Sequence, residues 1–190
     1  SAVHKSLRGS DVDAALYWVA RMLVAGEDPR YILRRLLRFS VEDVSLADPN
    51  AVSQAISCSE TYERLGSPEG ELAIMQLTAY LATAPKSASV YKAMHKAFDA
   101  ARQTGSLMPP KHILNAPTKL MKNLGYKDGY IYDQDLEDGF SGQNYFPDGM
   151  SRAKFYNPVE RGFEREIKKR IEYFDRLRKE KQAKRKEKND

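Results

Sequence analysis

An all-α fold is predicted by two features of the sequence and one absence. Apolar residues recur at helical spacing through most of the first 124 residues, and short breaks rich in Pro, Gly, Ser and Asp separate the runs. No stretch alternates apolar and polar residues as a half-buried strand would. The expected architecture is a helical bundle over residues 1–124, a long irregular aromatic arm over 125–157, an amphipathic C-terminal helix over 158–178 and a basic, solvated tail over 179–190.

Each element has its own local reasons. Residues 1–7, SAVHKSL, form a short amphipathic piece that stops at Gly9; the chain starts without methionine, which predicts a piece of a longer protein. Ser10 is placed as a helix N-cap, with Asp11 and Asp13 adding negative charge to the first turn. The helix that follows is apolar on most faces through Leu16, Trp18, Val19, Met22 and Leu23, which predicts the centre of a bundle. Gly26 ends it, and Asp28-Pro29 restarts the chain as N-cap and first helical residue. In the second helix Tyr31, Ile32, Leu36 and Phe39 share one side, and Arg34, Arg35 and Arg38 share another. Asp48-Pro49 opens a third helix to Leu65, and Ser67-Pro68 a fourth that ends before Pro85. Ser87 starts a fifth, with Val90, Met94, Ala97, Phe98 and Ala101 on one face, and Pro117 begins a short helix to about Leu124.

From Gly125 the pattern changes. Residues 125–157 hold eight Tyr or Phe, six Asp or Glu, five Gly and three Lys or Arg, with no period. So many aromatics argue against disorder, because burying them offsets the entropy of ordering the chain. The expectation is an extended arm lying across the bundle or across a neighbouring subunit. Asn157-Pro158 is then placed as the cap of the last helix, where Phe163, Ile167, Ile171, Phe174 and Leu177 make a packing stripe.

Composition bounds the function. The chain has 190 residues, a length that predicts one domain or one domain with appendages. No run is long and apolar enough for a membrane helix, and a single cysteine, Cys58, fits a reducing cytoplasm. The net charge of +5 is concentrated: residues 164–190 hold 12 Lys or Arg against 7 Asp or Glu, and the rest of the chain is balanced. The basic character therefore describes the C-terminus, not a cationic globule.

No catalytic, cofactor or metal site is predicted. His4, His95 and His112 are isolated from one another and from ligand-spaced carboxylates. Cys58 has no basic neighbour to activate it. Ser89-Val-Tyr-Lys92 matches the S-x-x-K pattern, but its supporting motifs are missing, and no phosphate-cradling G-x-x-x-x-G-K-[ST] loop is present. Three features could bind partners. Arg34, Arg35 and Arg38 could hold phosphates, or form a solvated face paired with acids such as Glu42. Lys181, Lys184 and Arg185 could add salt-sensitive DNA affinity, or simply solubilise the end. Tyr126, Tyr130, Tyr132, Phe140, Tyr145 and Phe146 could stack on single-stranded bases, but the arm's acids oppose this, so packing within the chain or between subunits is the preferred reading.

Ordered blocks along the chain carry a resemblance. They are His4-Lys5-Ser6-Leu7-Arg8-Gly9-Ser10-Asp11, Asp13-Ala14-Ala15-Leu16-Tyr17-Trp18, Gly26-Glu27-Asp28-Pro29 and Ala47-Asp48-Pro49. Further on come Leu81-Ala82-Thr83-Ala84-Pro85-Lys86-Ser87, Asn115-Ala116-Pro117-Thr118-Lys119-Leu120-Met121-Lys122, Asp138-Gly139-Phe140 and Gly162-Phe163-Glu164. Together they resemble the C-terminal part of the replication-associated recombination protein A family of AAA+ ATPases, to which the Werner-helicase-interacting protein is related. The resemblance implies a clamp-loader-like helical collar that tetramerises, in a parent protein acting at stalled forks and single-stranded DNA junctions. It also implies ATP and Mg2+ as cofactors of that parent, itself and DNA as partners, and single-strand-binding protein as a further one, all in the cytoplasm at the nucleoid. The family's nucleotide loop, magnesium-binding acid and arginine finger have no counterpart in these residues, so no enzyme activity is expected of this stretch alone.

Overall fold

The computed structural model describes residues 1–187, so Lys188, Asn189 and Asp190 at the end of the expected tail lie outside the described residues. Among the described residues there are eight α-helices and no strand. They are α1 (Ala2–Arg8), α2 (Val12–Val24), α3 (Pro29–Phe39), α4 (Asn50–Leu65), α5 (Glu71–Thr83), α6 (Ser89–Gln103), α7 (Lys119–Asn123) and α8 (Glu164–Glu187). None of them is long and apolar enough to cross a membrane. The chain groups into two compact units: Ser1–Met94 with Tyr156–Lys168, and His95–Phe155 with Lys169–Asp190. The range 1–124 expected as one bundle includes residues of both.

Local chemistry sets the helix ends. The cap of α2 is Asp11, whose carboxylate accepts from Ala14 N at 3.0 Å, rather than Ser10. Ser10 is used one step earlier, at φ 55°, with its N–H closing α1 onto Leu7 O. Gly26 takes the left-handed conformation (φ 82°) past the end of α2, where its N–H reaches Leu23 O and the next N–H reaches Met22 O. Asp28 caps α3 by accepting from Arg30 N at 2.9 Å, and Pro29 follows at the first helical position.

The first unit holds the hydrophobic core. Leu7 of α1, Ala15 and Val19 of α2, Ile32, Leu36 and Phe39 of α3, Ala55 of α4 and Leu77 of α5 are buried together. The central helix is α5, which packs against α1, α2, α3 and α4. This differs from the expectation for α2. That helix buries only Ala15 and Val19 and leaves Tyr17 and Val24 in solvent, whereas α5 buries Ala73, Ile74, Leu77, Thr78, Leu81 and Ala82. After Glu71, α5 has no charged residue, so the faces it turns to its four neighbours are buried without stranding a charge.

The last helix begins later and ends later than the sequence suggests. Asn157-Pro158 does not cap it; α8 starts at Glu164. The intervening residues dock on the first unit instead. Phe163 N donates to Ala47 O at 2.8 Å, and Gly162 (φ 53°) lies so close that a Cβ there would sit 2.1 Å from the same oxygen. At the far end α8 runs through the residues expected as a tail, to Glu187. Its Lys, Glu, Gln, Ala and Arg residues are strong helix formers, and the Lys181 and Arg185 stems are half-buried.

The second unit has almost no aliphatic core; among its described residues only Pro110, Ser141 and Gly142 are buried. Aromatic and cationic contacts hold it. Phe140 stacks on Phe174 with centroids 5.3 Å apart, the Arg178 guanidinium sits 5.4 Å from the Phe140 ring, and Phe146 meets Phe155 at 6.2 Å. The long segment from Gly125 is thus folded against α8 of its own chain.

Candidate interaction sites

The three arginines of α3 have different surroundings. Arg38 Nε donates to Glu42 Oε2 at 2.7 Å, one turn on, in an exposed pair. Arg34 lies over its own helix's Tyr31, 5.7 Å from the ring centroid, and no carboxylate among the described residues pairs with it. Arg35 is half-buried beside His4, whose imidazole is pushed below its ordinary range by burial and then by the Arg35 charge. The cluster is therefore one paired cation, one stacked cation and one half-buried beside a histidine.

The cations of α8 are spent unequally. Lys181 Nζ donates to Asp138 Oδ1 at 2.7 Å and also to the Phe140 carbonyl. Beside that ammonium, the Asp138 carboxyl is held below the usual carboxylate range. Arg185 donates from Nη2 to the Ser141 carbonyl at 2.6 Å. These two fasten the arm to the helix. Lys184 points to solvent.

The six arm aromatics are not one surface. Phe140 and Phe146 are stacked within the unit as described. Tyr145 donates to Asp133 Oδ2 at 3.1 Å and its ring lies 6.3 Å from that of His112. Tyr132 is exposed. Tyr126 and Tyr130 belong elsewhere: with Asn115, Pro117, Lys122 and Lys127 they line an open cleft of about 750 Å³. The sequence signal for this cleft was the run 111–127, which contains four lysines and no acid.

The face of α6 that the sequence marks as apolar meets solvent. The apolar face of α6 is open, with Val90, Met94 and Phe98 at 37%, 43% and 56% exposure, and only Ser89 of the whole helix is buried. At its start, Ser87 Oγ accepts from Ser89 N at 3.1 Å, so the serine of the S-x-x-K match is part of a helix cap rather than paired to Lys92. Cys58 is buried, and burial pushes its thiol up, which leaves it less reactive. Among the described residues no group of three or more His, Cys, Asp or Glu stands close enough to hold a metal ion.

The model of the MgsA AAA+ ATPase C-terminal family matches residues 9–175. The chain belongs to this family. As an MgsA-type C-terminal domain, it is 49% identical over 178 residues to replication-associated recombination protein A of Coxiella burnetii, covering 93% of this chain and 40% of that protein. The Escherichia coli K12 protein of the same name is 46% identical over 172 residues, covering 90% of this chain and 38% of that protein. The ATPase WRNIP1 of Dictyostelium discoideum is 40% identical over 157 residues, covering 82% of this chain and 18% of that protein. The chain spans about two fifths of the length of the bacterial relatives. All eight helices except α1 and the end of α8 fall within the family match. The family's AAA+ C-terminal region is thus the part of such an ATPase that this fold represents.

Proposed function

We propose that this MgsA-type domain is the oligomerisation module of a clamp-loader-related AAA+ ATPase that acts in replication-fork maintenance, recombination and repair. It assembles four copies and so sets the spacing of the ATPase heads on DNA, raising their effective concentration by tethering. ATP and Mg2+ belong to those heads and not to this stretch. Single-strand-binding protein is a further partner of the assembled protein, in the cytoplasm at the nucleoid.

The observation that carries this reading is the open stripe of Val90, Met94 and Phe98 on α6. A helix whose apolar face is presented to water gains by covering it, and a closed homo-oligomer is the default way to do so. The test is the mass of the chain in solution by light scattering at micromolar concentration. A particle of about four chain masses is expected, reduced by Phe98→Glu with helix content unchanged. A monomer at that concentration overturns the reading.

A second reading, an accessory DNA-binding module, draws on Arg34 and Lys184, which have no carboxylate partner among the described residues. It expects oligonucleotide binding that weakens steeply with salt and falls on Arg34→Ala or on deletion of 176–190. Binding unaffected by both changes removes it.

A further inference from the structure

We propose that the cleft lined by Tyr126, Tyr130, Lys122, Lys127 and Asn115 binds single-stranded nucleic acid, taking one or two bases against the tyrosines and their phosphates against the lysines.

The cleft is built entirely from residues 115–130, whose fold is fixed locally. Thr118 caps α7 by accepting from Met121 N at 3.2 Å, and Gly125 (φ 79°) turns the chain at the helix end. Tyr126 N then returns to Met121 O at 3.1 Å, and Lys127 N donates to Lys111 O at 2.9 Å, bringing Lys111 beside the turn. This places Tyr126 and Tyr130 on the same wall system as Lys122 and Lys127.

The chemistry of the lining selects the ligand. An aromatic ring offers a face to any base, and this stacking is tolerant of sequence. Lysine supplies a mobile point charge suited to a phosphodiester rather than to a planar carboxylate. The run 111–127 has Lys111, Lys119, Lys122 and Lys127 and no acid, so the local field is cationic although the rest of the unit is mixed. Asp128 also lines the cleft and is the one opposing charge there. Two of the arm's other acids are already engaged: Asp133 accepts from Ser141 N and Tyr145 Oη, and Asp138 is paired with Lys181. The cleft is wide open and lacks a closed pocket, which suits a strand passing through it better than a free nucleotide enclosed on all sides.

The inference does not depend on subunit number. It is tested with the whole chain by fluorescence anisotropy, using an oligo-dT of about 12 nucleotides, a duplex of the same length and dTMP as probes. Preferential binding of the single strand is expected. Tyr126→Ala and Tyr130→Ala should each weaken it about tenfold, and Tyr130→Phe, which keeps the ring, should not. Lys122→Gln with Lys127→Gln should lower the slope of log affinity against log salt by about 1.4. Arg34→Ala should leave binding in place, which separates this cleft from the arginine reading. Helix content by circular dichroism checks each variant; should an alanine variant misfold, the lysine pair and the Tyr130→Phe comparison still decide. Equal binding of duplex and single strand, dTMP binding as tightly as the oligonucleotide, or affinity unchanged in the tyrosine variants overturns the proposal, as does no binding at low salt.

Discussion

The Glu164 carboxylate, fully buried at the start of α8, accepts a hydrogen bond at 2.9 Å from Ser87 Oγ, 77 residues earlier in the chain. Val159 N donates to the same oxygen at 2.7 Å, and Tyr156 Oη donates to the other at 3.1 Å. A carboxylate removed from water needs such partners, and here they come from the segment before α8 and from the cap of α6. The network therefore fastens the returning chain to the first unit. Glu164→Ala leaves one buried and two half-buried donors without their acceptor and is expected to cost about 2 kcal/mol in urea unfolding. A loss below about 0.5 kcal/mol means that the network only decorates the joint.

Tyr156 in that network gives a pH dependence. Burial, and then the neighbouring Glu164 charge, push its phenol well above the ordinary value of about 10. A folded-state value raised above the unfolded one means that the folded chain holds the proton more tightly. The associated stability is complete below about pH 10 and is lost as pH rises beyond it, because the unfolded chain ionises first. Tyr80 is shifted in the same direction, so the wild-type curve reports both. Tyr156→Phe should cost about 1 kcal/mol at neutral pH and flatten the alkaline fall. An alkaline limb identical to wild type contradicts this.

Gly162 is where the returning segment comes nearest to the bundle. Its φ of 53° is in the left-handed region, and a Cβ would meet Ala47 O at 2.1 Å and Pro85 Cγ at 2.7 Å. The Ala47 oxygen cannot give way by an ångström without breaking its hydrogen bond from Phe163 N. Gly162→Ala should therefore destabilise by about 3 kcal/mol, against about 1 kcal/mol for Gly26→Ala, where the φ is also positive but nothing stands within contact distance. Equal costs at the two sites would show that conformation, not contact, governs both.

The acids of the arm make a second pH window. Asp133 accepts from Ser141 N at 2.6 Å and from Tyr145 Oη at 3.1 Å, and the Ser141 N–H holds its carboxyl below the usual aspartate range. With the folded value depressed, the stability these bonds give the arm's own fold is fully present above about pH 4 and is lost as pH falls through the lowered value. The Ser141 amide resonance should shift on acidification below about pH 4, and Asp133→Asn should abolish the shift. A Ser141 amide that shifts already above about pH 4, or whose acid shift survives in Asp133→Asn, rules out this role for Asp133.

What could be read from the sequence follows the range over which each feature is decided. Gly26, Asp28 and Pro29 end one helix and begin the next through bonds spanning a few residues, so their placement was legible. The same holds for the pairing of Arg38 with Glu42, which share one helical turn. Asn157-Pro158 has the form of a cap, but whether it acts as one depends on Ala47, Pro85 and Ser87, far away in sequence. Lys181 and Arg185 look like solubilising charges until the carbonyls of Phe140 and Ser141 are placed beside them. Periodicity showed that α6 has an apolar face without showing what covers it, and the Tyr126 cleft needs the turn at Gly125 to bring its lysines and tyrosines together.

That α6 face separates stability from assembly, and two substitutions make the contrast. Leu77 is fully buried at the centre of the bundle, so Leu77→Ala leaves a cavity and should cost about 3 kcal/mol at any protein concentration. Phe98 is more than half exposed, so Phe98→Ser removes little intrachain packing and should change the stability of the dilute chain by no more than about 0.5 kcal/mol. Association stabilises by mass action, which makes the thermal midpoint of the wild-type chain rise with its concentration. Phe98→Ser should abolish that rise while keeping the dilute midpoint, and Leu77→Ala should lower the midpoint while keeping the rise. Thermal scans across a hundredfold range of concentration measure both. If Phe98→Ser lowers the dilute midpoint as far as Leu77→Ala does, the α6 stripe is core to its own chain, and the subunit contact must lie on another face, with exposed Tyr17 and Val24 of α2 next to be tested.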